Sequence, residues 1–485
     1  MKAPDLFEAL AAILPAEGLK ITEEAMRPYE CDGLSMYRAL PKCVALPETE
    51  EQVVRVLKAC HAARVPVIAR GAGTGLSGGA TPSPEAVLVS TARLMKIIEI
   101  DPEACLARVQ PGVRNLAISE AAARYGLYYA PDPSSQIACT IGGNVAENSG
   151  GVHCLKYGLT VHNVRALRMV LIDGTVVTLG GSGLDAPGYD LLALLHGSEG
   201  LLGVVTEVTV KLTPKPKLAQ VAMASFASVE AAGAAVGEII AAGIIPAGLE
   251  MMDRMATRAV EDFVHAGYDT EAAAILLVES DGTPQEVADE MARIREVLER
   301  SGATSVRVSQ NEAERLRFWS GRKNAFPAMG RLAPDYYCMD GTIPRKALPQ
   351  VLTAIAEMSK RYGLACANVF HAGDGNLHPL ILFDANQPGE LERAEAFGAE
   401  ILELCVAVGG TITGEHGVGI EKINQMCVQF PPKTLRRMHE IKMAFDEHGL
   451  LNPGKAVPTL HRCAEFGRMR VSRGKPLPFA ELERF

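Results

Sequence analysis

The chain has 485 residues, of which 48% are hydrophobic and 22% are charged. A chain of this length is too long to fold around a single hydrophobic core, and its composition is that of an ordinary globular protein. We therefore expect two or three folded domains. The formal net charge is −9. A chain without a basic excess is a poor match for phosphate backbones, which argues against nucleic acid as a partner.

The eleven cysteines are scattered and form no Cys-x-x-Cys pair. This pattern predicts reduced thiols in a cytoplasmic protein and no iron–sulfur cluster within this chain. Asp5 and Glu8 interrupt the only early apolar stretch, which argues against a secretory signal. No uninterrupted apolar run approaches the ~18 residues that a membrane span needs. We therefore expect any membrane contact to be peripheral or through a partner.

The first half of the chain predicts alternating strands and helices. It begins with a helical segment over residues 1–35, and strands are then predicted at 43–46, 65–69, 86–89, 164–172 and 203–212. Thr49 and Gln52 form a candidate capping box for a helix after the first strand. Pro214 and Pro216 break the pattern and mark a domain boundary.

A glycine-rich loop follows the strand at 65–69. Gly73-x-Gly75-x-x-Gly78 matches the spacing of a Rossmann dinucleotide loop, but such a loop must open a helix, and here Thr81-Pro-Ser-Pro84 and a strand follow. The backbone N–H groups can still surround a pyrophosphate, although a purely structural turn is the alternative. The predicted phosphate-binding residues are Arg70, Gly71, Ala72, Gly73, Thr74, Gly75, Leu76 and Ser77.

A second segment, residues 131–151, has little periodicity and many small or turn-forming residues. Backbone of this kind lets a flat ring lie close to main-chain N–H and C=O groups. The residues predicted to do so are Pro131, Asp132, Ser134, Gly142, Gly143, Asn144, Asn148, Gly150 and Gly151.

The second half of the chain again alternates strands with helices. Strands are predicted near 219–226, 247–252, 273–280 and 304–309, and helices near 228–242 and 286–300. This order resembles a ferredoxin-like split unit. A further helix with one apolar face starts at Pro432 and ends near Gly449, whereas the tail after residue 463 gives no prediction.

His371 and His378 flank a Gly-rich turn between two apolar runs, which predicts a β-hairpin whose histidines face each other. Glu415 would complete a two-His, one-carboxylate site for Zn, Mn or Fe with open positions for a substrate. Neighbouring side chains in an extended chain point to opposite faces, so His416 would remain available for proton transfer. The alternative is that all four are polar residues of surface turns.

Together these motifs resemble the FAD-binding PCMH-type family, the vanillyl-alcohol oxidase superfamily, with an FAD-linked oxidase C-terminal domain. The resemblance covers about residues 30 to 457. It implies an α+β fold with a PCMH-type FAD-binding domain over 36–215 and a ferredoxin-like substrate or cap domain with the metal site over 216–430. A C-terminal segment, 431–485, returns to the FAD domain. The implied activity is FAD-dependent oxidation of a small (D-)2-hydroxy acid, glycolate first, with D-lactate and D-2-hydroxyglutarate as alternatives.

The same resemblance implies roles for individual residues. Relatives that bind flavin covalently carry a His near Thr74, so non-covalent FAD is expected. Arg322 aligns with a clamp for the substrate carboxylate, which suits guanidinium geometry, although a surface salt bridge is the alternative. A Lys of the 2-hydroxyglutarate relatives is missing near Tyr337–Met339, which favours a small monocarboxylate. Further FAD contacts are expected from Glu199, Gly203, Val205 and Asn452.

His416 is expected to act as the base, and His371, His378 and Glu415 as metal ligands. The resemblance also implies partners, namely a second flavin-fold subunit and an iron–sulfur subunit tied to the inner face of the membrane. Two other classes of function compete with this one. A transferase like the alkylglycerone-phosphate synthases would need room for a long lipid chain, and a metallohydrolase would use the metal site without flavin.

Overall fold

The structure is a computed structural model that describes residues 5–183 and 188–459. The chain forms two compact units. Unit 1 consists of Met1–Gly150, Leu159–Pro214 and Glu415–Phe485, and unit 2 of Gly151–Gly158 and Lys215–Gly414. The chain therefore returns to unit 1 at Glu415, earlier than the boundary at residue 430 that the sequence predicts.

The strands in chain order are β1 (Leu19–Lys20), β2 (Cys43–Ala45), β3 (Val67–Arg70), β4 (Val87–Ser90), β5 (Ile97–Asp101), β6 (Leu106–Val109), β7 (Leu127–Tyr128), β8 (Val164–Val170), β9 (Val176–Gly180), β10 (Val204–Lys211), β11 (Thr213–Pro214), β12 (Leu218–Phe226), β13 (Gly248–Asp253), β14 (Ala274–Gly282), β15 (Ala303–Val308), β16 (Asp335–Cys338), β17 (Cys366–His371) and β18 (Asn376–Phe383).

The α-helices are α1 (Leu6–Ile13), α2 (Glu23–Met26), α3 (Glu50–Ala63), α4 (Asn115–Ala122), α5 (Ile141–Glu147), α6 (Cys154–Tyr157), α7 (Thr160–Asn163), α8 (Leu191–Leu195), α9 (Val229–Ala241), α10 (Arg254–Val264), α11 (Pro284–Arg300), α12 (Glu312–Lys323), α13 (Ala325–Met329), α14 (Leu348–Tyr362), α15 (Glu390–Ala407), α16 (Met426–Gln429) and α17 (Pro432–Phe445). Short 3₁₀ turns lie at Ala16–Gly18, Arg27–Tyr29, Ala123–Tyr125 and Arg345–Ala347.

Unit 1 is built on a four-stranded sheet in the order β1-β2-β4-β3 and a five-stranded antiparallel sheet in the order β5-β6-β10-β8-β9. The central pairs of the first sheet, β2 with β4 and β4 with β3, are parallel. Helix α3 packs the apolar side chains of Val53, Val56 and Leu57 into the core of this unit. Thr49 caps α3 as predicted, but Gln52 accepts from Glu48 N–H, so the reciprocal capping box does not form.

Unit 2 is built on a seven-stranded antiparallel sheet in the order β15-β12-β14-β13-β17-β18-β16. Its first four strands follow the ferredoxin-like order, and the hairpin β17-β18 extends the sheet beyond β13, as the sequence predicts. Thr283 and Glu286 form a capping box at the start of α11. Val287, Met291 and Ile294 then bury one face of this helix.

Two features of the chain differ from the sequence-based expectation. In the part of the chain that the structure describes, nine cysteines form no disulfide, as predicted, but Cys427 is disulfide-bonded, so the prediction of reduced thiols is wrong at that position. The eleventh cysteine, Cys463, and the tail for which the sequence gives no prediction lie outside the described residues.

Segments 97–101 and 106–109 pair as the antiparallel strands β5 and β6, which were not predicted from the sequence. Among the described residues, no helix is long and apolar enough to cross a membrane.

A buried carboxylate of unit 2, Glu279 on β14, connects three side chains. It accepts hydrogen bonds from Arg315 at 2.8 Å and from the indole N–H of Trp319, and its other oxygen lies 3.1 Å from His153 Nε2. Burial alone would raise the pKa of Glu279, but the hydrogen bond and charge of His153, together with Arg315 and Trp319, lower it to about 2. This group is therefore stabilising in its ionised form.

The lowered pKa predicts how stability depends on pH. The stabilisation is present above the ordinary pKa of 4.5 and is lost as pH falls from there towards 2, by up to about 3 kcal/mol. Glu279→Gln should lower the thermal unfolding midpoint at pH 7, and this difference from the wild type should shrink below pH 4. Glu271→Gln, at an exposed carboxylate, is the control. Equal, pH-independent effects of the two variants would contradict the prediction.

Candidate active site

The predicted phosphate loop leaves β3 at Arg70 and reaches β4 without any helix between residues 71 and 86. The rejection of a Rossmann fold is therefore confirmed. The Arg70 guanidinium donates to Cys31 O at 2.6 Å and lies over the ring of Tyr29. Burial lowers the pKa of Arg70 against the opposing charge of Asp32. These contacts hold the start of the phosphate loop against the segment that carries Tyr29 and Cys31.

The loop lies against the second predicted cofactor segment. A Cβ on Gly71 would overlap Thr140 Oγ1 and lie 3.6 Å from the backbone of Gly143. Ser77 Oγ and Thr140 Oγ1 are buried and have no hydrogen-bond partner among the described residues. Buried hydroxyls of this kind need a partner, and a polar cofactor in this cradle would supply it. These residues therefore fit the pyrophosphate-bearing cofactor that the sequence predicts.

Part of the second segment is more regular than the sequence indicates. Gly142, Gly143 and Asn144 lie near the start of α5, and Asn148, in the left-handed conformation with φ +54°, caps its C-terminal end. The glycines hide the helical periodicity, and Asn148 can end the helix because Asn tolerates positive φ. Asn144 is buried and joins Asn115, which also donates to Pro131 O at 3.2 Å. These contacts fix the segment internally.

The C-terminal segment of unit 1 returns to the phosphate loop. Ser77 O accepts hydrogen bonds from the N–H groups of Ile420 at 3.0 Å and Glu421 at 3.1 Å. Gly419 has φ +52°, and any Cβ there would overlap Ser77 O. A glycine is therefore required for this close approach.

Glu199 has its side chain inside the protein. Its carboxylate accepts hydrogen bonds from Val418 N–H and Gly419 N–H, each at 2.7 Å, and its backbone is in the left-handed region with φ +49°. Asn452 donates to Glu199 O at 2.7 Å and to Gly79 O at 3.0 Å. Both residues thus hold the loops together, and direct contact with FAD stays a prediction for each.

Three further charged groups surround this junction. Glu147 is buried, and burial together with the charges of Glu199 and Asp32 holds its pKa well above the ordinary range. Lys455 donates to Gly79 O at 2.8 Å, and burial lowers its pKa to about 8. Lys422 Nζ donates to Gly417 O at 2.9 Å. The sequence reading missed all three, although each is a charged residue beside a predicted glycine-rich loop.

The other predicted cofactor residues of unit 1 have ordinary surroundings. Gly203 precedes β10 and packs against Met169, and Val205 pairs with Met169 in the sheet. A Cβ on Gly150 would lie 2.7 Å from Glu415 Oε2. Glu415 therefore lies directly beside the end of the second cofactor segment. Gly151, in contrast, belongs to unit 2.

The hairpin β17-β18 carries the two predicted metal-binding histidines. His371 pairs with Asn376 and Val369 pairs with His378, which puts both imidazoles on one face of the sheet. Their ring centroids are 5.0 Å apart, and both side chains are buried. His378 Nδ1 lies 3.4 Å from Met339 O. The predicted hairpin with facing histidines is confirmed. Imidazole suits transition-metal ions, and metal binding by this pair stays a prediction, because the donor groups of the described residues that lie close enough to hold one ion include His378 but not His371.

Arg322, the predicted carboxylate clamp, lies in the last turn of α12 and is only 1% exposed. The surface salt-bridge alternative is therefore wrong. Its Nε donates to Glu250 Oε2 at 2.7 Å, and the other oxygen of Glu250 lies 2.8 Å from His371 Nδ1. Arg322 Nη2 is buried without a hydrogen-bond partner among the described residues. The sequence reading missed Glu250, although it is the one charged residue between Gly248 and Met252 of a predicted strand.

The comparisons with known proteins agree with this arrangement. Family models match at residues 41–180 (FAD binding domain) and 215–456 (FAD linked oxidases, C-terminal domain). Glycolate oxidase subunit GlcD of Escherichia coli (strain K12) is 64% identical over 477 residues, which cover 98% of this chain and 95% of that protein. The chain belongs to the FAD-linked oxidase family. FAD as cofactor and an oxidoreductase activity, both predicted from the sequence, are thereby confirmed.

A second sequence relative and a solved structure of similar fold extend the comparison. The D-lactate dehydrogenase of Anaerostipes hadrus is 32% identical over 462 residues, which cover 93% of this chain and 97% of that protein. A structure of p-cresol methylhydroxylase with substrate bound superimposes with a TM-score of 0.78 at 19% identity, and covers 94% of this chain and 96% of that chain. This likeness confirms the predicted PCMH-type fold.

The contact between Gly419 and Ser77 predicts how FAD binding can be weakened. Gly419→Ala must separate the C-terminal segment from the phosphate loop, because its Cβ would overlap a backbone oxygen. We expect at least tenfold weaker binding of FAD, measured by flavin fluorescence on the deflavinated protein. Gly126→Ala is the matched control, since Gly126 has φ +70° but open space around it. Equal FAD affinities in Gly419→Ala and Gly126→Ala would contradict the prediction, because the overlap with Ser77 O exists only in the first variant.

Proposed function

We propose that this protein oxidises a small 2-hydroxy acid, with achiral glycolate as its main substrate and the D-isomer where the substrate is chiral, to the 2-oxo acid. One observation carries the proposal. In unit 2, a buried guanidinium with an unpartnered Nη2 is joined through one carboxylate to a buried histidine of a two-histidine hairpin. A cation for the substrate carboxylate and imidazoles for a metal match the two adjacent functional groups of a 2-hydroxy acid.

Each predicted site residue has its own role in the proposed reaction. Arg322 binds the carboxylate and orients the substrate. His371 and His378, with Glu415, hold a divalent transition metal (Zn, Mn or Fe), which when bound would lower the pKa of the substrate hydroxyl. His416 takes the hydroxyl proton. Bound FAD would supply the acceptor for the hydride that leaves Cα.

The identity of the substrate rests on two arguments. Glycolate oxidase subunits are 64% and 39% identical to this chain, and a D-lactate dehydrogenase is 32% identical. Tyr337, Cys338 and Met339 stand where 2-hydroxyglutarate-oxidising relatives have a lysine, so a second cation for a dicarboxylate is missing there. Both arguments favour a small monocarboxylate, with D-lactate as the alternative to glycolate.

The reduced cofactor must pass its electrons to an acceptor. Because the relatives at 64% and 39% identity are named as subunits, we propose that this chain also works within a multi-subunit complex. A second flavin-fold subunit and an iron–sulfur subunit, attached peripherally to the inner face of the membrane, would carry the electrons onward. Fast turnover of the isolated chain with dioxygen alone would argue for a self-sufficient oxidase instead.

FAD should bind without a covalent link, because Thr74 stands where covalent relatives have a histidine and its hydroxyl is not a nucleophile towards the flavin methyl group. Acid precipitation of the purified protein should release all the yellow colour into the supernatant. Colour that stays in the pellet after washing would contradict a dissociable cofactor.

The proposed reaction is tested by mixing the oxidised protein anaerobically with glycolate, D-lactate and D-2-hydroxyglutarate in a stopped-flow instrument. We expect the fastest bleaching of the flavin with glycolate. His416→Gln should keep FAD and metal but slow bleaching roughly a hundredfold or more, since a positioned base contributes ~10²–10⁴ in rate. If this variant bleaches at the wild-type rate across pH, the base lies elsewhere. Failure of every 2-hydroxy acid to bleach the wild type would refute the proposed function.

A further inference from the structure

Glu250 has contacts with two residues of the proposed site at once. Its Oε2 accepts the hydrogen bond from Arg322 Nε at 2.7 Å, and its Oε1 lies 2.8 Å from His371 Nδ1. Both Glu250 and Arg322 are only 1% exposed. All three residues belong to unit 2, so this triad is formed within one compact part of the protein.

The fold brings these residues together in a defined way. Met251 and Met252 of β13 pair with Phe370 and Val369 of β17, and one further step in this antiparallel register brings Glu250 opposite His371. Directly opposite side chains on one face of a sheet are near neighbours. Arg322 approaches the same carboxylate from the last turn of α12. The carboxylate therefore lies between a strand residue and a helix residue that are far apart in the sequence.

The contact with His371 determines which imidazole nitrogen can bind a metal. A carboxylate accepts only, so His371 Nδ1 must carry the proton that it donates to Glu250. In the neutral ring Nε2 then keeps its lone pair, and this is the form of imidazole that ligates metal ions. A carboxylate partner on the second nitrogen also fixes the ring orientation, and its loss typically weakens metal binding 10–100-fold.

The contact with Arg322 determines which edge of the guanidinium can bind a substrate. Glu250 occupies Nε, while the buried Nη2 has no partner among the described residues. The side chain cannot swing away without leaving the Glu250 charge buried and unpaired, which is strongly unfavourable. The guanidinium is therefore held with its Nη2 available to a carboxylate oxygen.

We infer that Glu250 is a positioning residue that sets the distance and angle between the metal ligand His371 and the carboxylate clamp Arg322. The inference rests on the proposed function and adds a specificity element to it. A single rigid carboxylate between the two groups selects substrates whose hydroxyl and carboxylate lie on adjacent carbons. It predicts that metal affinity and substrate affinity change together when Glu250 is altered.

The test combines metal binding with steady-state kinetics on the full-length, FAD-loaded protein. We expect Glu250→Gln to weaken Zn²⁺ affinity 10–100-fold, measured by chelator competition. It should also raise the KM for glycolate at least tenfold, because the neutral amide cannot accept from both partners. Asp253→Asn is the matched control, since Asp253 is on the same strand but caps α10 and bonds Asn368. It should lower thermal stability and leave Zn²⁺ affinity and KM unchanged.

Glu250→Gln leaves the Arg322 charge unpaired and can fail to fold. In that case, Arg322→Gln is compared with the double variant Glu250→Gln/Arg322→Gln. A tenfold or greater loss of Zn²⁺ affinity in the double variant relative to Arg322→Gln supports the inference, and equal affinities overturn it. Wild-type Zn²⁺ binding with unchanged affinity in Glu250→Gln overturns the inference alone. A wild type that binds no Zn²⁺ and is not bleached by glycolate overturns the proposed function as well.

Discussion

The cofactor half of this protein depends on the carboxylate of Glu199, which accepts two hydrogen bonds from the backbone N–H groups of Val418 and Gly419. The residues in this contact are 219 and 220 positions apart in the chain. A buried carboxylate is stable only when its oxygens are hydrogen-bonded, so the segment after Glu415 cannot leave the loop that carries Glu199 without a large loss of free energy. The same segment begins with the residues proposed to bind metal and to take the proton.

Unit 2 also contains a buried carboxylate that needs hydrogen-bond donors, but its donors are side chains. Glu250 is paired with a guanidinium and an imidazole rather than with backbone N–H groups. Backbone donors hold a loop in place, whereas side-chain donors orient chemically active groups. Each unit thus uses one buried carboxylate to fix its own predicted site residues, and burial makes both contacts strong because water cannot compete for them.

The sequence was sufficient to predict features that have local causes. The cap of α3 at Thr49, the hairpin around His371 and His378, and the absence of a helix after Gly78 follow from neighbouring residues. Helix α5 was missed because its glycines remove the periodic signal. Strand β5 was missed because apolar residues lie at its exposed positions, so apolar and polar residues do not alternate along it. The partners of Glu199 and Glu250 could not be predicted, since each lies on another element that only the tertiary fold brings close. A charged residue inside a predicted buried strand indicated that Glu250 must have a partner, but not which one.

The central claim is that metal and flavin are both needed to oxidise a 2-hydroxy acid. The most direct measurement is the anaerobic single-turnover reduction of the flavin by glycolate, before and after removal of bound metal with a chelator. We expect metal removal to abolish bleaching while the yellow oxidised flavin stays bound, and Zn²⁺ or Mn²⁺ to restore bleaching. Bleaching at the full rate by protein shown to be metal-free would contradict the account.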